Sequence, residues 1–230
     1  MIETLRGGSW IAELPSFRPG SRTLPAVLRP AAKRAMDVAI AGVLLALLAL
    51  PMLIIAAIAR ADGGPALFAH TRIGRAGRKF GCLKFRSMVV DAERRLAELL
   101  ERDPEAAAEW EATRKLKNDP RVTRIGKFLR ATSLDELPQL INVLKGEMSL
   151  VGPRPVTATE LAANYGAAAE HYQLVRPGIT GPWQVSGRSE TSYDRRVALD
   201  VAYATQPSLV TDIRLLLATP AAVLLRRGAY

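Results

Sequence analysis

The most regular feature of the chain is an apolar run near its N-terminus. Residues 38–59 are 22 consecutive positions without a charge, which would form a helix about 33 Å long, enough to cross a bilayer. A core helix of a soluble protein usually keeps a polar stripe, whereas this run is apolar all round. The pattern therefore predicts a membrane-embedded helix, with a buried core helix as the alternative.

The flanks of this run bear on its orientation. Residues 1–36 carry six Lys and Arg against two acidic residues, and residues 60–88 carry seven against one. Basic flanks normally stay in the cytoplasm, so a straight span would place one flank on the unfavourable side. Pro51 removes a helix hydrogen bond and can kink the helix at Leu50-Pro51, which would let it return to the same face. An ordinary kinked spanning helix remains open as well.

The remaining pattern divides the chain into three parts. Residues 1–32 contain several prolines and no sustained apolar period, which indicates a flexible lead. Residues 33–60 form the membrane helix, and residues 61–230 form one compact, mainly helical domain. The predicted fold class is α+β, with a short β-hairpin in the domain and with helices that lie in the membrane interface.

Turn and cap residues position the elements of this domain. Residues 66–68 and 80–85 are predicted strands around a Gly-containing turn at 74–77. Residues 91–117 are predicted to form two surface helices, the second with Asp103 as its N-cap and Pro104 as its first residue. The apolar segment 209–227 is predicted either to lie in the membrane interface or to dock on the domain.

An acidic pair lies at the start of the best-defined helix of the domain. Leucines and an isoleucine recur at helical spacing from residue 134 to 144, and Gly146 is a natural stop. Ser133 and Glu136 have the spacing of a capping box, which is the structural interpretation. If the helix starts nearer Asp135, Pro138 falls in its first turn, and both carboxylates remain available to bind a divalent metal or to act as a nucleophile. Spacing alone leaves both interpretations open.

Composition points to an anionic partner. The formal net charge is +10 and the pI is about 10.2, which suits nucleic acid, an acidic membrane surface or a phosphorylated substrate. One cysteine and two histidines are too few for the usual zinc site. Cations that are candidates for phosphate binding are Lys84, Arg86, Arg130, Arg154, Arg176 and Arg188, whereas Arg72, Arg75 and Arg78 are assigned to anionic lipid headgroups.

Two of these arginines lie in segments rich in Gly and Pro. Arg154 is held by the turn Gly152-Pro153-Arg154-Pro155, which suits bidentate binding of phosphate; a rigid surface turn is the alternative. Residues 176–188 are predicted to form a long structured loop that carries Trp183, and such loops are more often functional than structural.

An ordered set of motifs resembles a known family. These are KRAMD, GPALF, RIGRAGRKF, LKFRSM, NDPRVTRIGKFLR, SLDELPQLINVLKGEMSLVGPRP and RPGITGPWQVSGR. Residues 33–230 thereby resemble the small monotopic phosphoglycosyl transferases of the bacterial sugar transferase family, in particular those that initiate exopolysaccharide synthesis. One such motif is weak, but the ordered set is specific.

The resemblance implies a reaction and a location. Asp135 would attack the β-phosphate of UDP-galactose or UDP-glucose, form a phosphosugar-aspartyl enzyme and release UMP, and undecaprenyl phosphate would then take the phosphosugar. Glu136 would assist, and Asp135 and Glu136 would hold Mg²⁺. Lys84, Arg130 and Arg154 would face the phosphates.

The family's first apolar segment is a re-entrant helix broken at a Ser-Pro pair, where this chain has Leu50-Pro51. The resemblance thus implies the bacterial inner membrane, with the catalytic domain on the cytoplasmic face, membrane lipid as a partner and a homo-oligomer as an option.

Two other classes remain as alternatives. A basic, membrane-anchored nucleic-acid binder would explain the charge and the apolar segment, but no known nucleic-acid-binding pattern is legible and we expect no nucleic-acid partner. A scaffold of polysaccharide assembly without activity differs in one respect, namely that Asp135 would be dispensable. No P-loop, G-x-G-x-x-G or G-x-S-x-G motif is present.

Overall fold

The computed structural model describes residues 28–61, 63–113, 116–187 and 192–224. Helix α1 spans Leu28–Ala59 and continues on both sides of Pro51. Its apolar part is long enough to cross a membrane, and only 11% of its most apolar 18-residue window is buried. A core helix of a soluble protein would be mostly buried, so α1 presents a broad apolar surface. Most of the predicted lead, residues 1–27, lies outside the described residues.

Both ends of α1 pack against the rest of the protein. Near the N-terminal end, Arg34 donates from Nη1 to the Val143 carbonyl (2.5 Å) and from Nη2 to the Leu144 carbonyl (2.9 Å). At the C-terminal end, the Ala59 carbonyl accepts a hydrogen bond from Arg86. The helix therefore lies along the domain instead of projecting from it at one end.

A β-hairpin follows α1. Strand β1 (Leu67–Ile73) pairs antiparallel with β2 (Lys79–Phe85), and a 3₁₀ turn (Arg75–Gly77) joins them. The predicted hairpin is confirmed, although its first strand is longer than residues 66–68. Ile73 explains part of this extension, because its N–H donates to the Val156 carbonyl at 2.9 Å and so fixes the end of the strand.

Three helices come next, namely α2 (Ala92–Arg102), α3 (Pro104–Thr113) and α4 (Arg124–Thr132). The two predicted surface helices are confirmed. Asp103 is the N-cap of α3, because its Oδ1 accepts from the N–H groups of Glu105 and Ala106, both at 3.0 Å. Thr123 caps α4 in the same way, with its Oγ1 accepting from the Gly126 N–H at 2.9 Å.

The acidic pair occupies a 3₁₀ turn, Leu134–Glu136, ahead of helix α5 (Gln139–Lys145). Ser133 is in the left-handed region (φ 57°) and its side chain makes no capping hydrogen bond. The capping-box interpretation is therefore wrong. Pro138 directly precedes α5, where its missing N–H costs little. Gly146 ends the helix as predicted, with φ 80°.

A second pair of strands lies behind the acidic turn. Strand β3 (Ser149–Val151) pairs in parallel with β4 (Gly178–Thr180). This approach requires glycine, since a Cβ on Gly152 would meet the Arg176 carbonyl oxygen at 2.4 Å and one on Gly178 would meet the Gly152 nitrogen at 2.1 Å. The segment 176–188, predicted to be an irregular loop, thus contains a strand.

The other helices complete a fold of the α+β class. They are α6 (Ala158–Asn164), α7 (Ala169–Tyr172), α8 (Pro182–Val185), α9 (Tyr193–Thr205) and α10 (Leu209–Leu224). Helix α10 docks on α8, β3 and β4, as one of the two interpretations of residues 209–227 expected. Its outer face exposes Val210, Ile213 and Leu217, so a membrane contact of that face stays a prediction.

A buried ionic cluster connects α1 to α10. Lys33 Nζ lies 2.8 Å from Asp37 Oδ1 and 3.2 Å from Asp212 Oδ2. Ser149 donates to Asp37 (2.8 Å) and Tyr203 donates to Asp212 (2.7 Å). One lysine thereby compensates two carboxylates that are 2% and 1% exposed, and it joins α1 to α10.

Candidate active site

The acidic turn and strand β2 bring three charged side chains together. Lys84 Nζ lies 2.7 Å from Glu136 Oε1 and 3.4 Å from Asp135 Oδ2. Asp135 is 7% exposed. Lys84, predicted to face a substrate phosphate, thus faces the two carboxylates directly, and its contact with a phosphate stays a prediction.

Burial and charge set the protonation of this triad. Burial raises the pKa of Asp135, and the Lys84 ammonium acts in the opposite direction. Burial also disfavours the Lys84 ammonium, but the carboxylates of Glu136 and Asp135 outweigh it and the pKa of Lys84 is raised. Lys84 thus stays charged and favours an ionised Asp135, which is the state that a nucleophile needs.

A cleft opens beside the triad and is rich in cations. Lys84, Glu136 and Arg154 line it, as does Arg72 from β1. The sequence assigned Arg72 to the membrane surface, but the structure places it in the cleft. The alternation of side chains along β1 could have indicated that Arg72 and the residues beside it point to different faces. The cleft can therefore bind a multiply charged anion.

Glu160 and Trp183 hold the arginines of the cleft, Arg72 and Arg154, in place together with Arg196. Glu160 accepts from Arg72 at 3.3 Å and from Arg196 at 3.0 Å. Arg154 and Arg196 lie over the Trp183 ring at 5.2 and 4.8 Å from its centroid, distances at which a guanidinium is attracted to the ring. Sequence reasoning singled out Trp183 but missed Glu160 and Arg196.

Arg130 approaches the triad from α4. Its Nε donates to Ser87 Oγ at 2.8 Å, and its charge is one of the smaller influences that lower the pKa of Asp135. The structure therefore brings Arg130 near the acidic pair, while its predicted binding of phosphate stays a prediction.

Two other predicted phosphate ligands make structural contacts. Arg86 donates to the carbonyls of Pro65 (2.7 Å) and Met88 (3.0 Å), and it also reaches the Ala59 carbonyl. Arg176 donates from Nε to the Gly146 carbonyl at 2.7 Å. Neither lines the cleft beside Asp135. Arg188 lies outside the described residues, so its place at the site stays a prediction.

Cys82 also lines the cleft, and its chemistry is distinct from that of the carboxylates. Burial raises the pKa of its thiol to about 11. Because the thiolate is the nucleophilic form, this cysteine is unreactive near neutral pH. Of the side chains at the cleft, the carboxylates of Asp135 and Glu136 are therefore the candidates for a nucleophile.

The donor set can be tested for a metal ion. No group of three or more His, Cys, Asp or Glu side chains comes together within the residues described here. Mg²⁺ is commonly held by one or two carboxylates together with substrate phosphates. Asp135 and Glu136 fit that arrangement, with a phosphorylated substrate supplying the other oxygens.

Comparisons with known proteins agree with this chemistry. The profile of the bacterial sugar transferase family matches residues 28–226. The chain is 52% identical over 198 residues to the UDP-galactose-lipid carrier transferase of Erwinia amylovora, which covers 86% of this chain and 41% of that protein. It is 47% identical over 220 residues to the exopolysaccharide production protein ExoY of Rhizobium meliloti, which covers 95% and 97%.

A third relative is named for glucose instead of galactose. The chain is 41% identical over 228 residues to the UDP-glucose:undecaprenyl-phosphate glucose-1-phosphate transferase of Caulobacter vibrioides, covering 95% of this chain and 79% of that protein. The chain spans less than half the length of several relatives and nearly all of others. Since the family profile matches most of the chain, the protein belongs to the bacterial sugar transferase family.

Proposed function

We propose that this protein transfers hexose-1-phosphate, from UDP-galactose or UDP-glucose, to undecaprenyl phosphate as the first step of exopolysaccharide synthesis. The observation that carries the proposal is the buried Asp135, which faces Lys84 beside a cleft lined by Arg72 and Arg154. The names of the relatives support the two substrates.

The proposed reaction has two displacement steps at one phosphorus. In the first, a carboxylate oxygen of Asp135 bonds to the β-phosphorus, the bond to the oxygen bridging the two phosphates breaks, and its electron pair leaves with UMP. In the second, an oxygen of undecaprenyl phosphate attacks the same phosphorus, and the electron pair of the aspartyl bond returns to Asp135. Ping-pong kinetics follow from this order.

Each side chain of the cleft has a part in the proposal. Lys84 opposes the effect of burial on Asp135, favours its ionised form and orients it, while Arg72 and Arg154 bind the diphosphate. Arg130 adds positive charge near Asp135, and Glu160 keeps Arg72 in place. Asp135 and Glu136 would hold Mg²⁺, which when bound would neutralise phosphate charge.

The first test is UMP release by the detergent-purified protein. We expect release with undecaprenyl phosphate, Mg²⁺ and either UDP-galactose or UDP-glucose, and little with the N-acetylated donors. UMP should also appear without the lipid in an amount close to one equivalent of enzyme, because the first step does not need the acceptor. Absence of release with every donor would contradict the proposal.

We further propose that α1 is a re-entrant helix in the bacterial inner membrane and that the domain lies on the cytoplasmic face. The support is that both ends of α1 contact the domain, through Arg34 and through Ala59, and that both flanks are basic. A helix that crossed the bilayer would separate its two ends by the full membrane thickness.

Labelling of the two flanks tests this topology. Pro30→Cys and Ala61→Cys place thiols at exposed positions on either side of α1, and Cys82 serves as an internal blank because it is 2% exposed. We expect a membrane-impermeant maleimide to label both variants in inverted vesicles and neither in spheroplasts. Labelling of one variant from the outside would show a spanning helix instead.

A further inference from the structure

Helix α5 contains two buried amides with different surroundings. Asn142 is 0% exposed, and its side chain accepts from the Leu83 N–H (3.0 Å) and donates to the Gly81 carbonyl (2.8 Å) and to Glu147 (2.6 Å). Asn142 is thus satisfied by the protein and joins α5 to β2. Its hydrogen bonds give it a structural role.

Gln139 is almost as buried but has no such partners. It is 2% exposed and lines the cleft beside Glu136, and among the described residues its amide makes no hydrogen bond. The amide atoms of Gln139 are not among the fully enclosed polar atoms without a partner in the described residues, so the amide stays in contact with the water of the cleft. An amide that faces a cleft in this state is suited to a ligand that completes its hydrogen bonds.

The position of Gln139 limits which part of a ligand it can meet. It follows Asp135 by four residues through a helical backbone, so the two side chains start about 6 Å apart on one face. In the proposed reaction Asp135 attacks the β-phosphorus, and the uridine lies beyond the α-phosphate. The nearest hydroxyl of the donor is the one on the sugar carbon next to the carbon that bears the phosphate; the ring oxygen is as close but can only accept a hydrogen bond.

The chemistry of the amide also fits a hydroxyl. An amide offers donors and an acceptor, and a hydroxyl can pair with either. The phosphates, by contrast, are matched by the cations Arg72, Arg154 and Lys84 in the same cleft. We infer that Gln139 hydrogen-bonds the 2-hydroxyl of the donor hexose and so contributes to sugar specificity. This inference rests on the proposed function.

A double-mutant cycle between protein and substrate tests it. Gln139→Met keeps the length of the side chain and removes its hydrogen bonding, and the UDP-2-deoxyhexose that corresponds to the preferred donor removes the hydroxyl. With the full donor, we expect the variant to lose about tenfold or more in kcat/KM. With the 2-deoxy donor, wild type and variant should have similar kcat/KM.

Stability separates this role from a structural one. Gln139→Met should leave the melting temperature nearly unchanged, because no side-chain hydrogen bond within the described residues is lost, whereas Asn142→Leu removes the bonds to Leu83, Gly81 and Glu147 and should lower it. Gln139→Asn is the second variant if Gln139→Met fails to fold, since it keeps an amide but withdraws it by one methylene; like Gln139→Met, it should lose kcat/KM with the full donor and match wild type with the 2-deoxy donor.

The outcomes separate a failure of the role of Gln139 from a failure of the proposed function. The role of Gln139 alone would be overturned if wild type were active and Gln139→Met lost the same factor in kcat/KM with both donors. The same conclusion would follow if Gln139→Met lost no activity with the full donor. A wild type that releases no UMP from any donor would overturn the proposed function and the inference together.

Discussion

Asp135→Asn is expected to reduce UMP release by at least about 10³-fold, the order of loss seen when a nucleophile is removed. The amide has nearly the same shape as the carboxylate but does not form the acyl phosphate. Since burial already raises the pKa of Asp135, a neutral group at this position should not destabilise the fold. Lys84 keeps Glu136 as its partner at 2.7 Å, which preserves the local geometry.

Glu136→Gln is the matched control for this prediction. It removes the neighbouring carboxylate from the same turn and should lower turnover without preventing attachment. With a UDP-hexose labelled in the sugar and no lipid acceptor, we expect wild type and Glu136→Gln to retain label after denaturation. Asp135→Asn should retain none. Label on Asp135→Asn, or turnover close to wild type, would contradict a nucleophilic role and favour a scaffold.

The position of the acidic pair, Asp135 and Glu136, could be predicted from the sequence for a physical reason. Leucines at helical spacing, with Pro138 among them, place the start of a helix close to Asp135, whereas the contact of Lys84 with the two carboxylates was not predicted. Spacing could not decide between a cap and a functional pair, because both need an acidic residue at a helix start. The backbone of Ser133 decides it, since a residue at φ 57° without a capping bond does not form the box.

The sequence does not predict which arginines reach the cleft and which bind backbone carbonyls. A guanidinium donates to backbone carbonyls as well as to phosphates, and the residue type is the same in both cases. Arg86 and Arg176 donate to carbonyls, while Arg72 reaches the cleft. These placements depend on contacts between segments distant in sequence, such as Arg72 with Glu160, and local pattern carries no information on them.

The charges near the N-terminal end of α1 could be interpreted only in part from the sequence. Lys33 and Asp37 have the spacing of a helical ion pair, which usually means a solvated contact of small effect. In the structure the same pair is buried against Asp212 of α10. A contact between residues 33 and 212 cannot be inferred from periodicity, and it turns a weak pair into an anchor for α1.

Lys33→Met is therefore expected to destabilise the protein by about 3 kcal/mol. Removing one partner of a buried ion pair costs about 3–5 kcal/mol, and the Lys33 side chain keeps 20% exposure, which favours the lower end. The variant leaves the Asp37 and Asp212 carboxylates buried without a compensating cation. Thermal unfolding in detergent, followed by circular dichroism, measures the effect.

The pH dependence identifies the cause of this loss. Burial raises the pKa of Asp212 above its unfolded value, against the effect of Lys33. A group with a raised pKa contributes stability below its unfolded pKa and loses it as pH rises through the folded pKa. Without Lys33 that pKa rises further, so the difference in melting temperature between variant and wild type should grow from pH 5 to pH 8.

Two control variants complete the experiment. Adding Asp212→Asn to Lys33→Met removes one of the uncompensated charges and should recover part of the stability at pH 8. Lys127→Met changes an exposed lysine of α4 and should leave the melting temperature nearly unchanged at both pH values. If Lys33→Met behaved like Lys127→Met, the cluster would contribute little, and α1 would be held to the domain by its apolar contacts and by Arg34 instead.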